Sequence, residues 1–215
     1  MTDLRALVPV KRRDAAKLRL AARLSPTERL ALSRAMLAAV VEALAGSAPV
    51  GEVVFVSSER DTIPERHRVL PDPGGGLNAA LESARALIAA EGADEILVLP
   101  ADLPLVTSSD VDAIIARGRA AGFAMAGDRA GTGTNALFLP TLAPIAFRFG
   151  IDSLARHLAE AQRAGFPGVV VDLPGLAFDV DTPEDLDRLM ATGDARYTFR
   201  SHRIGGGAWP LALSV

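Results

Sequence analysis

The stretch that most constrains this chain is Glu95-Ile96-Leu97-Val98-Leu99-Pro100. A short apolar run closed by proline is the pattern of a strand buried on both faces, and such strands belong to parallel sheets covered by helices. Ala101-Asp102-Leu103-Pro104 comes next, a carboxylate held between two prolines that stiffen the loop. Ligands of open α/β sheets bind beyond the carboxyl ends of the strands. Asp102 therefore stands where chemistry is expected. The plainer reading of the same residue is an Asp that caps a turn.

The rest of the chain repeats the theme. Leu4 to Val10 reads as a buried first strand, Val53 to Val56 as another and Val69-Leu70 as a short one. Pro26-Thr27-Glu28 opens a helix whose Leu30, Met36, Leu37, Val40, Val41 and Leu44 recur at helical spacing until Gly46 ends it. Leu77 to Ala90 is helical, and Ser108 or Ser109 caps a helix to about Ala121. Strands are expected at Phe123 to Gly127, Asn135 to Leu139, Val169 to Asp172 and, shorter, Phe178 to Asp181. Asp152 or Ser153 caps a helix to Ala164, and Thr182-Pro183 starts the last one. Strand and helix alternate through about 190 residues, which predicts a single α/β domain with a mostly parallel sheet and helices on both faces. Residues 1–191 make this domain. Residues 192–215 follow neither periodicity and are expected to be a tail that is disordered or packed on a partner.

Composition removes several function classes. The chain has no Cys, which excludes disulfides, Cys-ligated zinc and thiol nucleophiles. A net charge of −3 gives no basic footprint, so nucleic acid is not an expected partner. The first residues lack the apolar core of a signal peptide. The uncharged, largely apolar run Asn135 to Phe147 is too short to cross a bilayer and contains Pro140 and Pro144. No membrane partner is expected, and the protein is expected in the cytoplasm. Ala-rich helices and the tail make a homodimer an expectation as well.

Five polar segments follow predicted strands. Lys11, Arg12, Arg13, Lys17 and Arg19 follow the first, where they would grip a triphosphate or simply form a solvated basic loop. This segment lacks the spacing of a P-loop. Pro71-Asp72-Pro73-Gly74-Gly75-Gly76-Leu77-Asn78 precedes a helix, so its backbone would approach a phosphate or base edge, or form an ordinary turn. Asp102 is the third site. Asp128-Arg129-Ala130-Gly131-Thr132-Gly133-Thr134-Asn135 offers amides and hydroxyls to an anion, or a hairpin turn, and Gly150, Asp152 and Ser153 open a second anion site or an ordinary cap. The fifth is Phe178-Asp179-Val180-Asp181-Thr182-Pro183-Glu184-Asp185. Its Asp179 and Asp181 share one face of an extended segment, where one of them would meet Asp102 and share a metal.

Asp-Leu-Pro after a buried strand and a late Asp-Val-Asp-Thr-Pro-Glu-Asp resemble the GT-A-like nucleotidyltransferase superfamily, which has a Rossmann-like fold. A more specific ordered set is Val10-Lys11, Lys17-Leu18-Arg19-Leu20, Gly76-Leu77-Asn78, Asp102-Leu103-Pro104, Gly131-Thr132-Gly133-Thr134-Asn135 and Phe149-Gly150-Ile151-Asp152-Ser153. Together these resemble the guanylyltransferases of coenzyme F-420 biosynthesis over roughly residues 5 to 190. One departure separates the chain from the molybdopterin and sugar-nucleotide branches. The Gly-rich Leu-Ala-Ala-Gly-Gly-type loop after the first strand is replaced by Val10-Lys11-Arg12-Arg13-Asp14-Ala15-Ala16-Lys17.

The resemblance implies transfer of GMP from GTP to a three-carbon phospho-acid: 2-phospho-L-lactate, phosphoenolpyruvate or 3-phospho-D-glycerate. It implies Mg2+ held by Asp102 and Asp181, with Asp179 as a further ligand. Lys11, Lys17 and Arg19 would act catalytically with Asp102. Lys11, Gly75, Gly76, Leu77, Asn78 and Asp102 would bind the nucleotide, and Thr134, Gly150 and Ser153 the acceptor. Two alternatives remain at this level: an acceptor that is a sugar or cofactor phosphate, and a nucleotide-binding protein without turnover.

Overall fold

The structure, a computed structural model, describes residues 2–10, 17–60 and 63–197. Its strands are β1 (Leu4–Pro9), β2 (Glu52–Ser57), β3 (Arg68–Pro71), β4 (Glu95–Val98), β5 (Ala124–Gly127), β6 (Thr134–Pro140) and β7 (Val169–Val171). Its helices are α1 (Pro26–Ala45), α2 (Leu77–Ala90), α3 (Ser108–Ala121), α4 (Ser153–Arg163), α5 (Pro174–Ala177) and α6 (Pro183–Ala191). Short 3-10 turns at Leu18–Leu20 and Ala195–Tyr197 complete the path.

The strands form one sheet in the order β3-β2-β1-β4-β6-β5-β7. All pairs are parallel except those of β6, which runs against both β4 and β5. This is the expected single, mostly parallel sheet. Side-chain alternation sorts the core onto its two faces. Leu4, Ala6, Val8, Phe55 and Leu97 pack with Val40 and Leu44 of α1 and Val111, Ile114 and Ile115 of α3. Leu7, Val54, Val56, Ile96 and Val98 pack with Leu81, Ala84 and Ile88 of α2 and Ala161 of α4. Helix α3 lies so close to β6 that a Cβ on Gly118 would run into the buried Phe138 ring.

Helix starts follow cap chemistry. Ser25 and Glu28 form a capping box on α1, and Thr182 and Asp185 form one on α6, each with proline in the first turn. On α3 the cap is Thr107 with Asp110, not Ser108 or Ser109, because the Thr107 hydroxyl already accepts from the Asp110 amide. The strand expected at Phe178 to Asp181 is absent. Its alternation is real, since Phe178 and Val180 enter a small apolar cluster with Leu20, Met36 and Leu186, but the segment joins no sheet ladder.

The boundary expected at residue 192 is not a break in packing. The chain continues into the Ala195–Tyr197 turn, where the fully buried Tyr197 donates its hydroxyl to the Pro104 carbonyl at 3.0 Å. The remainder of the expected tail lies outside the described residues. Among those described, no helix is long and apolar enough to cross a membrane.

Candidate active site

A cleft of about 800 Å³ opens at the carboxyl ends of β1 and β4. Pro9 and Val10 reach it from β1, and Pro100, Ala101 and Asp102 from β4. Strand β6 runs the other way, so it presents its beginning, Thr134 and Asn135, to the same edge. Gly150, Asp152 and Ser153 close one side at the start of α4, and Asp179 and Asp181 come from the loop before α6.

The centre of the cleft is an ion triplet. Lys17 Nζ donates to Asp102 Oδ2 at 2.6 Å and to Asp181 Oδ1 at 2.9 Å. The side chain of Lys17 is only 9% exposed, and its backbone is left-handed at φ 49°. Burial alone would lower its pKa. The charges of Asp102 and Asp181 and their hydrogen bonds outweigh that, and the ammonium is held above its ordinary value.

Asp179 stands beside this group and accepts from Asn135 Nδ2 at 3.3 Å. Its pKa is raised, first by burial and also by the neighbouring charges of Asp102 and Asp181, against the pull of Asn135. Asp181 is placed from behind. The Asp185 carboxylate accepts from the amides of Asp181 at 3.2 Å and Thr182 at 2.9 Å, and is paired with Arg129 at 2.6 Å.

Of the other expected residues, Arg19 is exposed and borders the cleft from the Leu18–Leu20 turn. Lys11 lies outside the described residues. Gly74, Gly75 and Gly76 all have positive φ, which only glycine adopts freely, and they deliver Leu77 to the cleft wall. Asn78 is used differently from the sequence expectation. Its amide is committed to the Phe149 backbone, donating to the carbonyl at 3.0 Å and accepting from the amide at 2.8 Å.

Asn78 begins a stripe along α2 that the sequence reading missed. Glu82 accepts from the Phe147 amide at 2.9 Å. Arg85 donates to the carbonyls of Thr141 at 2.6 Å, Ile145 at 2.7 Å and Ala143. Three side chains one turn apart thus hold the irregular segment that carries Phe149 and Gly150 to the cleft. Their helical spacing was legible; their backbone targets were not. Ser33 and Arg34 of α1, which also border the cleft, were missed too. They interrupt the apolar stripe formed by Leu30 and Leu37.

The wall at the start of α4 has an unusual backbone. Gly150 has φ 124° and Asp152 φ 54°, and the Asp152 side chain caps no amide of α4. The first amides of that helix are used internally instead: Ser153 N donates to the Gly150 carbonyl at 3.2 Å and Leu154 N to the Thr132 carbonyl at 3.0 Å, which ties the helix start to the neighbouring loop. Thr134 is 6% exposed and Ser153 2%, both at the cleft wall. The loop Asp128 to Gly133 closes on itself. Asp128 Oδ1 accepts from Thr132 N at 2.8 Å, and Gly131 takes a positive φ of 71°.

Known proteins can now be set beside this geometry. The family described as "Guanylyl transferase CofC like" matches residues 4–204. The chain belongs to this guanylyltransferase family. A phosphoenolpyruvate guanylyltransferase from Sphaerobacter thermophilus is 42% identical over 86% of this chain and 91% of its own length. One of the same name from Rubrobacter xylanophilus is 42% identical over 89% and 96%. A 2-phospho-L-lactate guanylyltransferase from Methanothermobacter thermautotrophicus is 35% identical over 89% and 86%. Among solved structures, one from Desulfovibrio desulfuricans G20 shares the fold at TM-score 0.73 and 18% identity, covering 91% of this chain and 89% of its own. A 4-diphosphocytidyl-2C-methyl-D-erythritol synthase from Anaerococcus prevotii does so at TM-score 0.61 and 10% identity, covering 89% and 98%. Membership makes the chain a nucleotidyltransferase and sets aside the reading as a binder without turnover.

Proposed function

We propose that this guanylyltransferase joins the GMP of GTP to a three-carbon phospho-acid in coenzyme F-420 biosynthesis. The observation that carries the reading is the pairing of two unlike walls in one cleft. The Lys17–Asp102–Asp181 triplet shares its cleft with the hydroxyl-bearing Thr134 and Ser153 and with Gly150. One wall suits a triphosphate with its counter-ion, the other a small anion.

A phosphate oxygen of the acid attacks the α-phosphorus of GTP. The new P–O bond forms as the bond to the β-phosphate oxygen breaks, and pyrophosphate leaves with that electron pair. The nucleophile is already ionised, so no general base is needed. Catalysis is positioning plus electrostatics. Lys17, Arg19 and Lys11 are assigned to the triphosphate. The Gly75-Gly76-Leu77 turn is assigned to the guanosine, with Asn78 as its strut. Thr134, Gly150 and Ser153 are assigned to the acid.

The carboxylates fit Mg2+. Asp102 and Asp181 converge on one cation, here the Lys17 ammonium, and offer the hard oxygen donors that Mg2+ prefers. Among the described residues no three acidic or His groups are gathered to hold an ion by themselves, so waters and substrate phosphates would have to complete its shell. Asp102 and Asp181 would hold it, with Asp179 beside them, and when bound it would neutralise charge on the phosphates.

Relatives named for phosphoenolpyruvate make that acid the first to offer. The test is pyrophosphate release from GTP and Mg2+ with phosphoenolpyruvate, 2-phospho-L-lactate or 3-phospho-D-glycerate supplied separately. Release that depends on one acid is the expected result; silence with all three overturns the reading. A cytoplasmic location, where GTP is at hand, and a homodimer through the Ala-rich helices belong to the same proposal. Cell fractionation and sedimentation read them.

A further inference from the structure

His157 is a fully buried titratable side chain to which the reaction above gives no role. It sits on α4, one turn beyond Ser153. Its two ring nitrogens face different elements. Nε2 accepts from the backbone amide of Arg148 at 2.8 Å, and Nδ1 lies 3.0 Å from Thr134 Oγ1. The Phe149 ring meets the imidazole edge-on, with centroids 4.8 Å apart.

These contacts fix the tautomer. A backbone N–H can only donate, so Nε2 must keep its lone pair and carry no proton. In a neutral imidazole the proton is then on Nδ1. A charged ring would put two donors face to face at Nε2, and burial disfavours the charge as well. Nδ1–H therefore faces the Thr134 hydroxyl, with the Ser153 backbone carbonyl as a second acceptor beside it, and cannot itself accept from that hydroxyl. Among the described residues that hydroxyl has no other hydrogen-bond partner. Its lone pair is engaged by the ring, and its own proton is left to point elsewhere. The side of Thr134 that remains is the cleft.

We propose that His157 is a positioning residue for the acceptor: through Nδ1 it makes the Thr134 hydroxyl an obligate donor to an anionic oxygen in the cleft, and through Nε2 and its ring it holds the Arg148–Phe149 backbone that leads into Gly150. One side chain thereby aligns Thr134 and Gly150, which the function reading assigns to the acid, and the inference rests on that reading. The ligand it selects is a carboxylate or phosphate oxygen. A neutral hydroxyl would gain much less from a forced donor, because hydrogen bonds to charged groups are the stronger ones.

The test uses three variants of the full chain, each assayed by acid-dependent pyrophosphate release. His157→Phe keeps the ring and removes both nitrogens. His157→Asn can still donate toward Thr134 but loses the Nε2 acceptor. His157→Gln can reach the Arg148 amide but loses the donor to Thr134. The expected result is a KM for the acid raised roughly tenfold or more in the Phe and Gln variants, with the KM for GTP unmoved. His157→Asn should fall closer to the parent. In a Thr134→Val background, exchanging Asn for Gln should change nothing further. A merely structural role would shift both KM values together and show no Asn-over-Gln order. An active parent whose variants keep a normal acid KM overturns the role of His157 alone, as does nitrogen NMR of the unliganded protein that finds the proton on Nε2. A parent that is silent with every acid overturns the function reading instead.

Discussion

Lys17 Nζ bridges Asp102 and Asp181, at 2.6 Å and 2.9 Å, and so joins the end of β4 to the loop before α6 through one buried charge. Neither carboxylate is near the other in sequence. The lysine that unites them sits on a left-handed backbone turn, φ 49°. Replacing Asp102 by Asn keeps its volume and removes its charge. Turnover should fall by roughly a hundredfold or more while the circular dichroism spectrum stays native, because the group serves charge rather than packing. Lys17→Met should produce a similar loss. Near-normal activity of Asp102→Asn with Mg2+ would mean that the carboxylate pair is not the metal site.

Asn78→Ala removes both hydrogen bonds to the Phe149 backbone and should destabilise the fold by only about 1–2 kcal/mol. Its functional effect should be directional. The KM for the acid should rise because Gly150 follows Phe149, whereas GTP affinity measured by calorimetry should change less. A variant that lost GTP binding and kept its acid KM would return Asn78 to the nucleotide.

His157 also predicts how stability responds to acid. Burial is the largest influence and lowers its pKa to about 4, with Arg148 adding to this and with Glu160 and a backbone hydrogen bond at Ser153 opposing. Between the unfolded value near 6.5 and the folded value of about 4, the unfolded chain binds the extra proton and the folded one does not. Folding free energy from this group is therefore fully present above about 6.5 and is lost as pH falls toward 4, by on the order of 3 kcal/mol. Urea midpoints measured across that range should fall with pH in the parent and fall less in His157→Phe.

Gly118→Ala tests the close approach of α3 to the sheet. Alanine favours a helix, and at an exposed site the change would stabilise. Here the added methyl would meet the Phe138 ring in a filled core. The expected outcome is a loss of about 1–3 kcal/mol in thermal or urea unfolding, with kinetic constants for both substrates unchanged.

Much of this was legible because it is written locally. The apolar run ending at Pro100, the helix starts at Pro26 and Thr182, and the alternation of Asp179 and Asp181 with Phe178 and Val180 each follow from neighbours in sequence. The sequence also placed Asp102, Asp181, Thr134, Gly150 and Ser153 on one cleft. What it could not supply were pairings across the chain. Asn78 looked like a ligand residue because it follows glycines, yet its partner is a backbone far along the chain. His157 carried no signal in the sequence, since nothing local says that Thr134 and Arg148 flank its ring. Tyr197 lay in a stretch with no periodicity, and only the fold reveals that it fastens the loop bearing Asp102.

The reversed strand β6 has a consequence of its own. Because it enters the cleft at its start, the residues proposed for the small acid come from one contiguous stretch, from the Asp128 turn through Thr134 to Ser153. The lysine and the carboxylates proposed for the triphosphate lie outside that stretch, apart from the bridge between Asn135 and Asp179. Changes of acceptor can then accumulate in a single cassette while the phosphoryl-transfer machinery is inherited intact. A graft of that cassette between relatives of different acceptor preference would carry the preference with it, provided Asn135 and the α2 stripe travel along.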